Sequence, residues 1–463
     1  VTLETIIQIV TSYVYPALLV LFFFGLTIFV HELGHFLVAR RRGMKVERFS
    51  IGFGPKIWGY KKDGIDYRVS WFPFGGYVAL PQMAPMETIE GKTDSTAEQL
   101  PPASPLSKIL VAFAGPVMNI IFAFLLGTIL WKIGMPMPND SAVIGWVEPG
   151  SLEEQKGLRP GDRIVEVSGK PISRWTELVG MVATSHEDTL KIVVERGDQT
   201  FTMDLDTPVH PQFGARVVNV FPRGRPFAQR VMSGTPAEEA GIRAGDKILA
   251  FNGVPIFSAR QLIELVGKRA DQATEIRLMR DEKIEVLQVT PRILPGETAA
   301  RIGLQLGDEI VRPGPTPMQQ FRDVFDLMGY TFKALMHSEK TGVGVKSLSG
   351  PVGIMGGWWY EFAYGGMRRG LWLAIVLNIN LAILNLLPLP VLDGGHIVFA
   401  ALEGIIRRPL NAKVVNALST AFAVLLISFM LYVTFHDIQR FFGPVGRGGS
   451  RTSTNQVAPV TPE

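Results

Sequence analysis

Cysteine is absent from all 463 residues. No disulfide can form and no thiolate can bind a metal, so any transition-metal site must be built from imidazole and carboxylate. Charge is scarce too, with Asp, Glu, Lys and Arg at 19% against 47% hydrophobic residues. The net charge of +4 is slight, and no basic stripe interleaved with aromatics is present, which argues against a nucleic-acid partner. Lys and Arg are missing from residues 1–15, and no small-residue cleavage pattern follows the first apolar run. That run therefore reads as retained rather than as a removable signal peptide. The chain exceeds one ordinary core, because domains usually hold ~100–200 residues, and roughly two to four separately packed regions are expected.

What the chain has in quantity is long apolar runs. Four of them, at about 16–38, 108–131, 371–405 with a break, and 415–435, approach or exceed the ~20 apolar residues a helix needs to cross a bilayer. The expected fold class is an α-helical polytopic membrane protein with four transmembrane helices. Arg40, Arg41, Arg42, Lys45 and Arg48 crowd the end of the first run, and Arg407, Arg408 and Lys413 lie between the third and fourth. By the positive-inside rule both loops face the cytoplasm and the polar region between the second and third runs lies outside it, with Arg368 and Arg369 pulling weakly the other way.

Smaller elements fill the polar parts. Ile51 to Leu80 alternates like a sheet, with Asp63-Gly64 as a hairpin turn between Ile57–Tyr60 and Ile65–Trp71, and its aromatics predict contact with the membrane. Residues 81–104, rich in Pro, Thr, Ser and Glu, read as a solvated loop. Farther on, GLRPGDRIVEVSGKPI at 157–172 aligns without gaps on GIRAGDKILAFNGVPI at 241–256, an offset of 84 residues. One small domain therefore occurs twice. Each copy turns at Gly-Asp, enters an apolar strand and turns again at Gly before a helix, Trp175–Val182 in the first and Ala259–Val266 in the second. Over residues 135–310 the pair resembles the PDZ fold in its bacterial protease form. PDZ domains commonly capture an extended peptide or chain end along a sheet edge; the plainer reading makes the pair spacers or dimer contacts. After Pro317, the residues Phe321, Val324, Phe325, Met328, Phe332 and Leu335 fall at helical spacing, the pattern of a packing or membrane-surface face.

The chemistry-bearing residues sit in the apolar runs. HELGH at 31–35 puts His31 and His35 on one face of a helix, where both imidazoles can bind one Zn²⁺, and Glu32 sits beside them within reach of an attacking water. Histidine is scarce, so by this composition a chance HExxH is expected on the order of 0.01 times per sequence. Glu32 also closes an apolar run, and an ionisable group at membrane depth usually marks a functional site. The plain alternative is two histidines bonded to backbone or facing headgroups. A catalytic zinc needs a third protein ligand with its fourth position open. NLLPLPVLDGGH at 385–396 offers Asp393 inside an apolar run, after Pro388 and Pro390, which break the helix, and before Gly394 and Gly395, which permit close backbone approach. A Pro-kinked helix with Asp393 capping its second half would look the same. His396 is a rival ligand, ranked below Asp393 because a satisfied interfacial histidine is the commoner case.

Taken together, HELGH, NLLPLPVLDGG, GFGP at 52–55, AGPVMN at 114–119, LSGPVGI at 348–354 and the two PDZ-like copies resemble the site-2 protease family over nearly the whole chain. The resemblance implies zinc held by His31, His35 and Asp393, with Glu32 as general base and Asn385 steadying substrate. It implies an intramembrane metalloprotease of the bacterial cytoplasmic (inner) membrane, acting on a pre-trimmed transmembrane protein such as an anti-sigma factor or a signal-peptide remnant. The hairpin and the PDZ pair would present or filter that substrate, and the lipid bilayer and a peptide or chain end at the PDZ domains are the other expected partners. Start at Val1 rather than Met departs from the family pattern and implies a missing or processed terminus. The domain plan that follows has a first transmembrane helix (1–50), a cytoplasmic membrane-associated β-hairpin and loop (51–107) and a second helix (108–134). Two α+β PDZ-like domains come next (135–221 and 222–312), then an amphipathic connector (313–370) and a broken third helix (371–406). A loop with the fourth helix (407–440) and a tail (441–463) complete it. A non-catalytic PDZ scaffold would have no use for Glu32 between two histidines, and a transporter would be expected to repeat its membrane halves rather than its polar part.

Overall fold

The computed structural model describes residues 10–83, 101–136, 141–185, 187–208, 216–294, 298–307, 310–336 and 348–442. Most of the loop expected at 81–104 and of the tail expected at 441–463 lies outside the described residues. Contacts divide the chain into two units, one of 1–133, 315–324 and 349–443 and one of 134–314, 325–348 and 444–463.

In the first unit, four helical stretches among the described residues are long and apolar enough to cross a membrane: Tyr15–Arg41, Pro105–Ile133, Pro351–Asn385 and Ala412–Gln439. Helix α1 (Tyr15–Arg41) carries Pro16 in its first turn, where a missing N–H is harmless. It ends in a Schellman motif. Gly43, at φ 71°, allows the Met44 N–H to reach the Ala39 carbonyl at 3.0 Å and its own N–H to reach Arg40 at 3.1 Å. Arg40 and Arg41 place positive charge at the carbonyl end of the dipole.

The chain then enters β1 (Arg48–Lys62) and β2 (Ile65–Ala79), joined by Asp63 and Gly64 at φ 52° and 77°, both in the left-handed region that a tight two-residue turn requires. The hairpin is more folded than a simple two-stranded ladder. Arg48–Ile51 is in register with Gly76–Ala79 and also with Asp66–Val69, so the two long strands bend back and place the start of β1 between both ends of β2. Inward, Phe49, Ile65, Tyr67 and Val78 pack against Phe36, Ala39 and Val111; outward, Trp58, Tyr60, Trp71 and Phe72 stay exposed.

Helix α2 (Pro105–Ile133) packs on α1 through glycine contacts. A Cβ on Gly34 of α1 would lie 2.4 Å from the Ala114 carbonyl oxygen of α2, so the helices touch backbone to side-chain-free backbone, the small-residue packing that lipid favours. The third apolar stretch begins earlier than the sequence predicts, at Pro351 rather than 371. The glycine-rich segment 353–366 has low helix propensity, yet burial of Trp358 and Phe362 holds it helical.

The second unit holds the repeat. In its first half, β3 (Arg163–Val167), helix α3 (Trp175–Ala183), β4 (Thr189–Arg196) and β5 (Gln199–Asp206) enclose Ile164, Val167, Leu178, Ile192, Val194 and Leu205. In its second, β6 (Phe227–Val231), β7 (Lys247–Phe251), helix α4 (Ala259–Gly267), β8 (Thr274–Arg280), β9 (Lys283–Val289) and β10 (Leu304–Gly307) form a sheet in the order β9-β8-β7-β6-β10. The 84-residue offset extends to side chains outside the aligned motif. Arg196 and Arg280 each pair with a buried aspartate, Asp162 and Asp246, at 2.6 Å, and each also donates to a glycine carbonyl, Gly157 or Gly241. A buried carboxylate needs such a partner, and in each copy the arginine supplies it.

After the repeat, α5 (Pro317–Met336) is anchored at its start by buried Gln320, which donates to the Gly127 carbonyl of α2 at 3.0 Å. Then come α6 (Pro351–Tyr360), a π-helical turn, α7 (Gly366–Asn385), a non-helical stretch at 386–392 carrying Pro388 and Pro390, α8 (Asp393–Ile406) and α9 (Ala412–Phe442). Most of α9 is exposed on the first unit's surface, and one buried carboxylate, Asp437, ties it to α6 by accepting the Gly353 N–H at 2.8 Å.

Candidate metal centre

Two elements of the first unit meet at one point. His31 and His35 come from α1, and Asp393 is the first residue of α8. The prolines end α7 and redirect the chain, and the glycines let it return: a Cβ on Gly394 would lie 2.3 Å from the Leu387 carbonyl oxygen and one on Gly395 2.2 Å from that of Leu389. No larger residue fits that fold-back, which is what carries Asp393 up to α1.

Three candidate ligand residues bring four donor atoms close together, the Nε2 of each histidine and both carboxylate oxygens of Asp393. His31 Nε2 lies 3.1 Å from His35 Nε2 and 3.2 Å from Asp393 Oδ2, and His35 Nε2 lies 3.4 Å from Asp393 Oδ1. With metal bonds of 2.0–2.2 Å, tetrahedral zinc sets its ligand atoms about 3.3 Å apart, so the observed separations fit zinc. The two imidazoles stand nearly perpendicular, at 80°, with Nε2 atoms converging. Asp393 Oδ2 is within ion-pair distance of His31 but lacks hydrogen-bond geometry to any donor among the described residues. An orphaned buried carboxylate oxygen facing two converging imidazole nitrogens is a donor set suited to a cation.

The surroundings orient these ligands. His35 Nδ1 donates to the Val111 carbonyl at 2.8 Å, which leaves its Nε2 lone pair pointing into the cluster. His31 Nδ1 lies 3.2 Å from the side-chain amide nitrogen of Asn119, fully buried on α2. Gly115 makes room for both rings: a Cβ there would be 2.4 Å from His35 Nε2 and 2.8 Å from His31 Cε1. Glu32 is buried, lies within electrostatic range of His31, His35 and Asp393, and has the hairpin beside it, since a Cβ on Gly76 would be 3.0 Å from Glu32 Cγ.

His31, Glu32, His35 and Asp393 are thus brought together. Asn385 ends α7 half-buried, eight residues before Asp393, with no hydrogen bond to its side chain among the described residues. His396 lies apart from the ligand group, lining a small cavity with Lys108, Phe399 and Glu403, where Lys108 and Glu403 pair at 2.7 Å. Gly34, Gly76, Gly115 and Asn119 also shape the site. Sequence reasoning gave none of them a role, although Gly115 and Asn119, four apart within AGPVMN, share a helix face.

Comparison with known proteins adds independent findings. The family model described as peptidase family M50 matches residues 19–429. A putative zinc metalloprotease of Vibrio cholerae is similar at 30% identity, covering 90% of this chain and 96% of that protein. A regulator of sigma-E protease of Salmonella typhimurium is similar at 29% identity over the same shares. Among solved structures, the PDZ domain of an SdrC-like protein from Listeria monocytogenes is similar at 21% identity with a TM-score of 0.17, covering 19% of this chain and 93% of that one.

Proposed function

Because this chain belongs to peptidase family M50 and is a zinc metalloendopeptidase of the site-2 protease type, we propose that His31, His35 and Asp393 hold the zinc, that Glu32 is the general base, and that the substrate is a transmembrane segment. The observation that carries this reading is the zinc-like spacing, 3.1 to 3.4 Å, of His31 Nε2, His35 Nε2 and the Asp393 carboxylate oxygens, with both histidines on a helix apolar enough to span a bilayer. When bound, zinc supplies a Lewis acid that polarises the scissile carbonyl and acidifies the attacking water. Glu32 takes the proton of that water and passes it to the leaving amine, a transfer that burial beside the ligands favours because bulk water cannot compete. Asp393 supplies the negative charge that offsets the cation.

A transmembrane helix hides its peptide bonds, so the substrate must unwind, and each freed amide in a dry site costs several kcal/mol unless paired, roughly 2–7 by transfer data. The hairpin supports a presenting role, because Gly76 brings its backbone against Glu32 and a strand edge can pair with extended peptide. The uncommitted amide of Asn385 suits the same task. The polar unit is read as two PDZ-like domains, 135–221 and 222–312, that restrict entry to trimmed substrates. The Lys/Arg distribution supports an orientation in which that unit lies outside the cytoplasm and the hairpin inside it, and the sigma-E protease relatives support a bacterial inner membrane. One relative is named for sigma-E regulation, and an anti-sigma-factor-type substrate follows by analogy. The test is the purified full chain in detergent with a single-span model substrate. Cleavage inside the apolar segment, abolished by a chelator and restored by zinc, is expected; a zinc-loaded protein that cuts only outside the segment would overturn the intramembrane reading.

A further inference from the structure

We infer that Asn119 is a positioning residue for the metal centre, its side-chain carbonyl accepting the Nδ1 hydrogen of His31 and so fixing the tautomer whose Nε2 is free to ligate. The inference rests on the reading that this centre holds zinc through His31 Nε2.

The argument begins with α2. Val111, Gly115 and Asn119 recur every four residues and form one stripe on that helix. The stripe lies against His35 and His31 of α1: the Val111 carbonyl meets His35 Nδ1 at 2.8 Å, Gly115 leaves room for both rings, and Asn119 meets His31 Nδ1 at 3.2 Å. Each imidazole therefore has a polar group behind it, and each turns Nε2 towards Asp393. For His35 the partner is a carbonyl, which can only accept, so its tautomer is settled. For His31 the partner is an amide, which can present either end.

The structure sets the amide nitrogen against Nδ1. An N–H donating there makes Nδ1 the acceptor and puts the ring hydrogen on Nε2, the atom 3.1 Å from His35 Nε2 and 3.2 Å from Asp393 Oδ2. A protonated Nε2 cannot ligate. The amide's two ends have nearly the same shape, and their assignment follows from the hydrogen-bond network. Asn119 is fully buried, and its Oδ1 has no partner among the described residues, so no hydrogen bond of that oxygen is lost when the amide turns. With Oδ1 towards His31, Nδ1 keeps its hydrogen and Nε2 presents its lone pair to the cluster. A metal-ligating histidine usually gives its second N–H to such an acceptor, and removing the acceptor typically costs 10–100-fold in metal affinity or activity.

The test uses the detergent-purified full chain with two variants of opposite meaning. Asn119→Leu keeps the volume without an acceptor, and Asn119→Asp keeps only acceptors. Zinc affinity is measured by competition with a chelator, the cobalt(II)-substituted absorption spectrum reports ligand geometry, and a thermal melt checks folding. The inference expects Asn119→Leu to lose zinc affinity about 10–100-fold with an altered cobalt spectrum, and Asn119→Asp to bind at or above the wild-type level. It is overturned if Asn119→Leu binds zinc as the wild type does, or if a folded Asn119→Asp loses as much as Asn119→Leu. Should Asn119→Leu fail to fold, the Asn119→Asp result and its cobalt spectrum decide alone. Failure of the underlying zinc reading looks different, since wild type and His31→Ala would then bind zinc alike.

Discussion

Gly115→Ala adds one methyl group at the centre of the site, and its consequence can be worked from the distances. The new Cβ would stand 2.4 Å from His35 Nε2 and 2.8 Å from His31 Cε1, about 1 Å inside the 3.4 Å where ordinary contact begins for the nearer atom. Relief by separating the helices would break the close packing of the neighbouring residues, where Gly34 brings α1 against the Ala114 carbonyl of α2. Either response displaces the His35 imidazole relative to its partners and strains its 2.8 Å bond to the Val111 carbonyl. Metal bonds tolerate only about 0.2 Å of error, so a ligand displaced by several times that distance should lower zinc affinity by at least the 10–100-fold seen for loss of an outer partner. Overpacking should cost the fold a further 1–3 kcal/mol or so, less than would unfold a stable membrane core. Gly25→Ala, on α1 with nothing within 4 Å of its added Cβ, is the control. Chelator competition for zinc and single-turnover cleavage, both at matched folding, are the assays. A Gly115→Ala protein with the zinc affinity and turnover of Gly25→Ala would refute the close approach of α2 to the two histidines.

Other expectations concern the rest of the molecule. Burial alone would raise the Asp66 carboxyl, but hydrogen bonds and charge from Arg68 and Lys56 outweigh it and hold the group below the ordinary carboxylate value of about 3.9. A depressed folded pKa gives the hairpin stability that is complete above that ordinary value and lost as pH falls below it. Limited proteolysis of the hairpin should therefore rise at strongly acid pH, and an Asp66→Asn protein showing the same acid step would contradict this source. Deleting 141–310 should leave zinc bound and relax the demand for a trimmed substrate; a folded, zinc-loaded deletion that cuts nothing, even short substrates, would exclude gating. Because the chain has no cysteine, a single cysteine at the exposed Lys170 reports orientation cleanly, and labelling only from the cytoplasmic side would reverse the proposed topology.

The readable parts of the sequence were those where one physical rule acts on neighbouring residues. HELGH declares its geometry because residues four apart share a helix face, and Asp63-Gly64 marks its turn because few residue pairs accept two positive φ angles. Asp393 stood out as a carboxylate in an apolar run, although a capping role would have given the same pattern. The 84-residue repeat was plain within its aligned motif, whereas Arg196 and Arg280 lay outside it and emerged only when their buried aspartate partners were in view. The double register of the hairpin was hidden because period-2 alternation says which face a residue occupies, not which strand lies beside it. The early start of the third apolar stretch was hidden by its glycines, since tertiary burial of Trp358 overrides weak local propensity. Asn119 was hidden for a similar reason. A lone asparagine in an apolar helix signals a polar partner without naming it, and the partner is 88 residues away.

The central claim is that Glu32 moves protons while Asp393 holds metal, and one paired measurement tests it: zinc stoichiometry together with single-turnover cleavage of a single-span substrate, for Glu32→Gln and Asp393→Asn at matched folding. Glu32→Gln preserves size and removes the base, so it should keep its zinc, still bind substrate, and lose nearly all turnover, on the order of the 10²–10⁴-fold that general base catalysis supplies. Asp393→Asn weakens a ligand and removes a negative charge next to the cation, so zinc affinity and activity should fall together. Substantial cleavage by Glu32→Gln, or full zinc affinity in Asp393→Asn, would contradict the account.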